Sequence, residues 1–187
     1  MKKGLIALAI GLILGGQALA AHHENHDKGA HSKDMQGKAV LSATSGNQTT
    51  GWVLFEPEAG KLHVWGEVIG LTPGKHGFHI HEFGDCSSGD GKSAGGHFTP
   101  QQSPHGAPTA PHNMHHAGDL GNITADAAGK ASFDMKVDFL DLHGMNSVLG
   151  RAVVVHAGTD DMKSQPSGDA GSRVACGVVG IIKKTSN

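Results

Sequence analysis

Residues 77–86 read GFHIHEFGDC, and the alternation inside that stretch decides how the chain is read. Residues two apart on a β-strand project from one face, so His79 and His81 share a side while Ile80 points the other way, toward a core. Two imidazoles placed like this can reach a single metal ion. Taken alone, His-x-His fits a merely solvated strand face equally well, and the residues downstream have to separate the two readings.

Outward from this strand, short apolar or alternating runs recur at 38–44, 51–56, 61–70, 119–124, 130–139, 151–157 and 174–183. Glycine, proline, asparagine and aspartate punctuate them, as in Leu71-Thr72-Pro73-Gly74 and Asp126-Ala127-Ala128-Gly129. No stretch carries a helical period. With 29 glycines and about eight short strands, the expected fold is all-β, a sandwich or flattened barrel. Two connections, 84–118 and 158–173, are too long for turns and rich in glycine, proline and histidine; structureless loops of that length in a compact domain are usually functional.

The chain start reads differently. Lys2 and Lys3 precede an apolar run from Leu5 to Leu14, and Ala18-Leu19-Ala20 has the small-x-small form of a secretory cleavage site, so residues 1–20 are expected to be a signal peptide and the product exported and soluble. Residues 21–37, with His22, His23, His26 and His31 among charges and almost nothing apolar, are expected to be a disordered tail, leaving 38–187 as one domain. The tail histidines could capture metal or have no role. Acidic residues outnumber basic ones, 17 to 15, which gives no reason to expect a nucleic acid partner, and no later segment is apolar enough to span a membrane. Cys86 and Cys176 are the only cysteines. In an exported chain they are expected to pair, the other reading being two buried free thiols.

The first long loop holds His97, His105, His116 and Asp119, three imidazoles and a carboxylate that suit tetrahedral zinc. A zinc ion there would organise a loop with no other source of order. Together GFHIHEFGDC, GGHFTP followed by a second HG, HHAGDLGN, VVVHAGTDD and GDAGSRVACGVVGI, in this order across 38–184, resemble the copper/zinc superoxide dismutases. That resemblance implies an eight-stranded Greek-key β-sandwich or flattened barrel. It also implies dismutation of superoxide to dioxygen and hydrogen peroxide at a copper, with zinc structural. It makes His79, His81, His97 and His156 copper ligands, and His97, His105, His116 and Asp119 zinc ligands, with His97 shared and also relaying a proton. Arg173 becomes the anion-docking residue beside copper, and Asp160 the carboxylate that links His79 to His105 and holds their rings.

Of the crowded histidines, only His116 stands three residues before Asp119 as the motif requires, so His112 and His115 are read as bystanders and His63, His76 and His143 as ordinary polar or packed residues. Export and the position of Cys86 match the bacterial branch, implying a periplasmic location, whereas HEFG and SGDAGSRVACGVVGI match the eukaryotic branch. Subunit arrangement differs between branches; a homodimer is expected, with a monomer open. The competing function is periplasmic copper or zinc storage, or a metallochaperone, for which the shared His97 and Arg173 have no use.

Overall fold

The computed structural model describes Met1 and residues 35–184, so the expected signal peptide and nearly all of the histidine-rich tail lie outside the described residues. Eight strands follow one another: β1 (Met35–Ala43), β2 (Thr50–Glu58), β3 (Lys61–Ile69), β4 (Gly74–His81), β5 (Asp119–Ala125), β6 (Ala131–Val137), β7 (Ala152–His156) and β8 (Arg173–Lys183). Every pairing is antiparallel, in the order β5-β4-β7-β8-β1-β2-β3-β6, giving a nearly closed barrel. β4 does not pair with β3, its predecessor in the chain, but crosses to lie between β5 and β7, the Greek-key connection. No α-helix occurs among the described residues, only two single 3₁₀ turns at Lys92–Ala94 and His112–Met114, and no helix there is long and apolar enough to cross a membrane.

Strand periodicity builds the core. β3 alternates, with Leu62, Val64 and Val68 buried, and meets Val53 and Phe55 of β2 and Ala39 and Leu41 of β1 inside the barrel. β4 and β7 are buried on both faces. Their inner residues Phe78, Ile80, Val153 and Val155 join the main core, while Ala152 and Val154 pack outward against Ala94 and Cys176 in a second cluster beneath a long loop. A strand covered on both sides loses the polar alternation of a half-exposed one, which is why β7 reads as the continuous run AVVV.

One boundary differs from the sequence reading. Met35, Gln36 and Gly37, expected to end the unordered tail, form the first ladder of β1, opposite Lys183, Ile182 and Ile181 of β8. These three residues carry no strand-like alternation, but a Cβ on Gly37 would come within 3.1 Å of Val179 and 3.3 Å of Phe55, so the missing side chain lets the backbone seat against the core. A third long connection, 138–151, not singled out from sequence, buries Phe139, Leu140, Leu142 and Val148 in the main core.

Candidate metal centre

The outer face of β4 carries His79 and His81. Register pairs His79 with Val154 and His81 with Ala152 on β7, so His156, two positions beyond Val154, falls on the same face. Irregularities at Gly77/His79 and at Val155/His156 interrupt the ladders beside these histidines, as bulges near sites do when they re-aim side chains. The segments 82–118 and 157–172 then fold over this face.

The first segment is anchored twice. Cys86 and Cys176 form a disulfide, closing a 90-residue separation and tying the segment to β8, which the chain-entropy picture values at about 4–5 kcal/mol. Further along, the chain returns beside the end of β4. The amide of Ile80 donates to Gly118 O at 2.9 Å and that of Phe98 to Ile80 O at 2.9 Å. Only glycine permits this approach, because a Cβ on Gly118 would lie 2.2 Å from Ile80 O.

Two groups of potential ligands result, each with its ligating atoms within 4.8 Å of one another: His79, His81, His97 and His156, and His97, His105, His116 and Asp119. All seven residues are buried, and His97 belongs to both groups. In the first, one nitrogen of each strand histidine is committed as a donor. His81 Nδ1 donates to Gly95 O (3.0 Å), His156 Nδ1 to Gly171 O (3.2 Å) and His79 Nε2 to Asp160 Oδ2 (2.8 Å). The remaining nitrogens carry bare lone pairs. His81 Nε2 and His156 Nε2 face each other at 3.4 Å, while His79 Nδ1 and His97 Nε2 are buried with no partner. Lone pairs crowded without hydrogens repel unless a cation sits among them, so the arrangement fits a metal ion.

In the second group, Asp119 Oδ2 accepts from the backbone amides of His116 (2.8 Å) and Gly106 (3.1 Å), which turns Oδ1 toward three Nδ1 atoms. Oδ1 lies 2.8 Å from His97, 3.0 Å from His105 and 3.2 Å from His116, and the Nδ1 atoms of His97 and His116 are 3.4 Å apart. Ligands at ~2.0–2.1 Å from a tetrahedral zinc stand about 3.3–3.4 Å from one another, so the set is slightly contracted but of the right size. His105 Nδ1 is close to Asp119 Oδ1 without the alignment of a hydrogen bond, as expected of two ligands rather than a donor and an acceptor.

Burial pushes three imidazoles of the first group down: His97 to about 4, His156 to about 3 and His81 well below its ordinary value, with neighbouring histidines adding to the effect. They stay neutral and able to ligate at neutral pH. At His105 burial also opposes the charge, yet the Asp119 and Asp160 carboxylates on either side of the ring win and raise it to about 9. Burial likewise works against the Asp119 and Asp160 carboxylates, and their histidine partners overcome it and hold both far below the usual range.

Asp160 bridges the groups, its Oδ2 taking His79 and its Oδ1 taking His105 Nε2 at 3.0 Å. Three residues that the sequence reading missed hold this bridge. Asn122 clamps the Asp160 main chain with two bonds of 2.8 and 2.9 Å, and Gln165 does the same for the main chain of His105, at 2.9 and 2.8 Å. Gly168 leaves room for the carboxylate, since a Cβ there would sit 1.9 Å from Asp160 Oδ1. Its positive φ of 68° was readable as a turn glycine; nothing local marks Gln165 as special.

A cavity of about 760 Å³ opens over the first group, with His81, His97, His156 and Arg173 in its walls. The Arg173 guanidinium donates to Gly91 O (2.7 Å) and Gly95 O (2.6 Å), and Gly95 O also receives His81. One carbonyl thus holds the arginine beside a histidine of the first group. Of the histidines expected to be ordinary polar or packed residues, His63 pairs with Asp134 on the barrel surface and His76 spans the His156 and Thr72 carbonyls, in neither metal group.

The profile of the family described as copper/zinc superoxide dismutase matches residues 49–179. An extracellular copper-zinc superoxide dismutase of Brugia pahangi is 45% identical over 159 residues, covering 80% of this chain and 78% of its own. Superoxide dismutase [Cu-Zn] 2 of Mesembryanthemum crystallinum is 44% identical, covering 77% of this chain and 95% of its own. Among solved structures, the crystal structure of the clock protein EA4 superposes with a TM-score of 0.72 at 41% identity, covering 80% of this chain and 96% of that one.

Proposed function

From the premise that the chain belongs to the copper/zinc superoxide dismutase family, we propose that His79, His81, His97 and His156 hold copper and that His97, His105, His116 and Asp119 hold zinc. The protein is an enzyme that converts superoxide to dioxygen and hydrogen peroxide, with copper and zinc as cofactors. The observation that carries the residue assignment is His97, whose Nδ1 lies among the second group while its Nε2 lies unpartnered among the first. When bound, copper supplies the one-electron chemistry, since imidazole ligands accommodate both of its valences and zinc has no second one.

The chain's own residues supply the rest. The carbonyls of Gly95 and Gly171 and the Asp160 carboxylate keep one ring nitrogen of His81, His156 and His79 protonated, so the other stays bare for metal. His97 Nε2 is the atom at which a proton can be held for the product, because Nδ1 remains with the second group. Arg173 places a fixed positive charge in the cavity wall beside His81, where an anionic substrate is drawn and oriented. A storage protein has no use for that arginine.

The protein acts outside the cytoplasm, in the periplasm of a bacterium, after removal of residues 1–20. The disulfide and the extracellular relative support export. It works as a homodimer through exposed apolar side chains on the outer face of β1 and β8, where the register sets Val40 opposite Val178. An apolar cross-strand pair exposed at a barrel surface is best covered by a second copy.

Metal analysis coupled to a superoxide-removal assay on His97→Ala tests the site. We expect loss of the magnetic coupling between the two metals and a turnover reduced at least a hundredfold, with copper still bound. Full activity in that variant overturns the shared-ligand assignment.

A further inference from the structure

Four ring nitrogens of buried histidines have no partner among the described residues: His79 Nδ1, His97 Nε2, His105 Nδ1 and His115 Nε2. The first three belong to the two metal groups. The fourth belongs to neither. His115 is 1% exposed, and its Nδ1 donates to His116 O at 2.7 Å, so its Nε2 carries a bare lone pair. The same device prepares His81 and His156, whose Nδ1 atoms also donate to backbone carbonyls. An imidazole with one nitrogen tied to a carbonyl or carboxylate and the other left bare is the state in which histidine ligates metals.

His115 has a partner of the same kind. On the exposed His112, Nε2 donates to Asp138 Oδ1 at 3.2 Å, which leaves Nδ1 without a protein partner. The two rings stand edge-on with centroids 6.0 Å apart, the same separation as between His97 and His156 in the first metal group. Both line a cavity of about 370 Å³, walled also by Phe139, Asn113 and Asn146, and Phe139 lies edge-on to His115 at 4.6 Å. The sequence reading took both histidines for bystanders; their protonation geometry is that of ligands.

We propose that His112 and His115 form an additional metal site, outside the two groups of the catalytic centre, for a soft monovalent ion of the copper(I) class. Two imidazoles that form no group of three His, Cys, Asp or Glu donors among the described residues do not satisfy zinc, which takes four ligands, whereas a d¹⁰ monovalent ion is content with two. His115 directly precedes His116, so such an ion would be held next to the segment carrying the second metal group, a staging position for copper on its way to the centre. The comparison of nitrogens rests on the ligand assignment proposed above, which the metal content of the loaded protein tests separately.

The test uses the full chain, loaded with copper and zinc and assayed for both metals, and then titrated with silver(I) as a redox-inert stand-in for copper(I). The described cysteines are both in the disulfide, so no free thiol competes. We expect wild type to take up one more silver equivalent than His112→Ala at low silver, or to bind it at least tenfold more tightly, and the His115 Nε2 nitrogen resonance to move as that equivalent binds. His112 is on the surface, so this variant keeps its fold. Equal uptake by the two proteins, or a His115 Nε2 resonance that does not respond to silver, overturns the site. A shortfall of copper or zinc in the starting protein would instead count against the catalytic ligand assignment.

Discussion

The two faces of β4 and β7 are made by the same residues' neighbours and held by opposite physics. On the inner face Phe78, Ile80, Val153 and Val155 are all fully buried and need nothing but close packing. On the outer face His79, His81 and His156 are nearly as buried, yet they keep lone pairs pointed at one another and depend on Asp160 and carbonyl partners for their orientation. The inner face therefore specifies the barrel whether or not metal is present. The outer face is finished only when a cation occupies it, and its stability is linked to metal concentration.

The largest effect should come from breaking the inner face. Phe78→Ala removes a ring packed 4.9 Å from Phe133 and should cost about 3–5 kcal/mol of unfolding free energy, by denaturant titration, to the same extent in metal-free and loaded protein. A loss confined to the loaded form would mean that the two faces are not separable.

A smaller effect, seen only with metal, should follow from the outer face. Asp160→Asn removes the carboxylate that orients both His79 and His105 and should weaken metal binding about 10–100-fold, measured by competition with a chelator. Unchanged affinity would show that the loop packing alone positions the rings.

The smallest effect sharpens the contrast within the outer face, between the residues proposed to hold metal and the arginine proposed to attract substrate. Arg173→Ala should lower the rate constant for superoxide about tenfold, Arg173→Glu further, and the wild-type rate should fall with added salt. Metal content and melting temperature should stay near wild type. Equal rates for all three proteins would reduce Arg173 to a structural tie between Gly91 and Gly95.

Much of this was legible in the chain before folding. The period of two in Gly77–His81 placed two histidines on one strand face and Ile80 on the other, because strand geometry is local and repeats every two residues. Turn residues bounded eight strands within a few positions, and the family motif singled out His116 three residues before Asp119, whose carboxylate accepts the His116 amide. Contacts across long separations left no such trace. The pairing of Met35–Gly37 with β8, the Gln165 clamp on His105 60 residues away and the closeness of Gly168 to Asp160 depend on how distant segments meet.

By itself, then, the sequence determined the strands, the export-type cysteine pair and the residue types able to bind metal, since each follows from local periodicity or side-chain chemistry. Only the tertiary structure decided which nitrogen of each histidine is bare. That depends on whether a carbonyl such as that of Gly95, Gly171 or His116 arrives at the other side of the ring, and a hydrogen bond of about 3 Å between residues far apart in the chain is a property of the assembled barrel. It is the same property that separates His115 from the histidines it resembles in sequence.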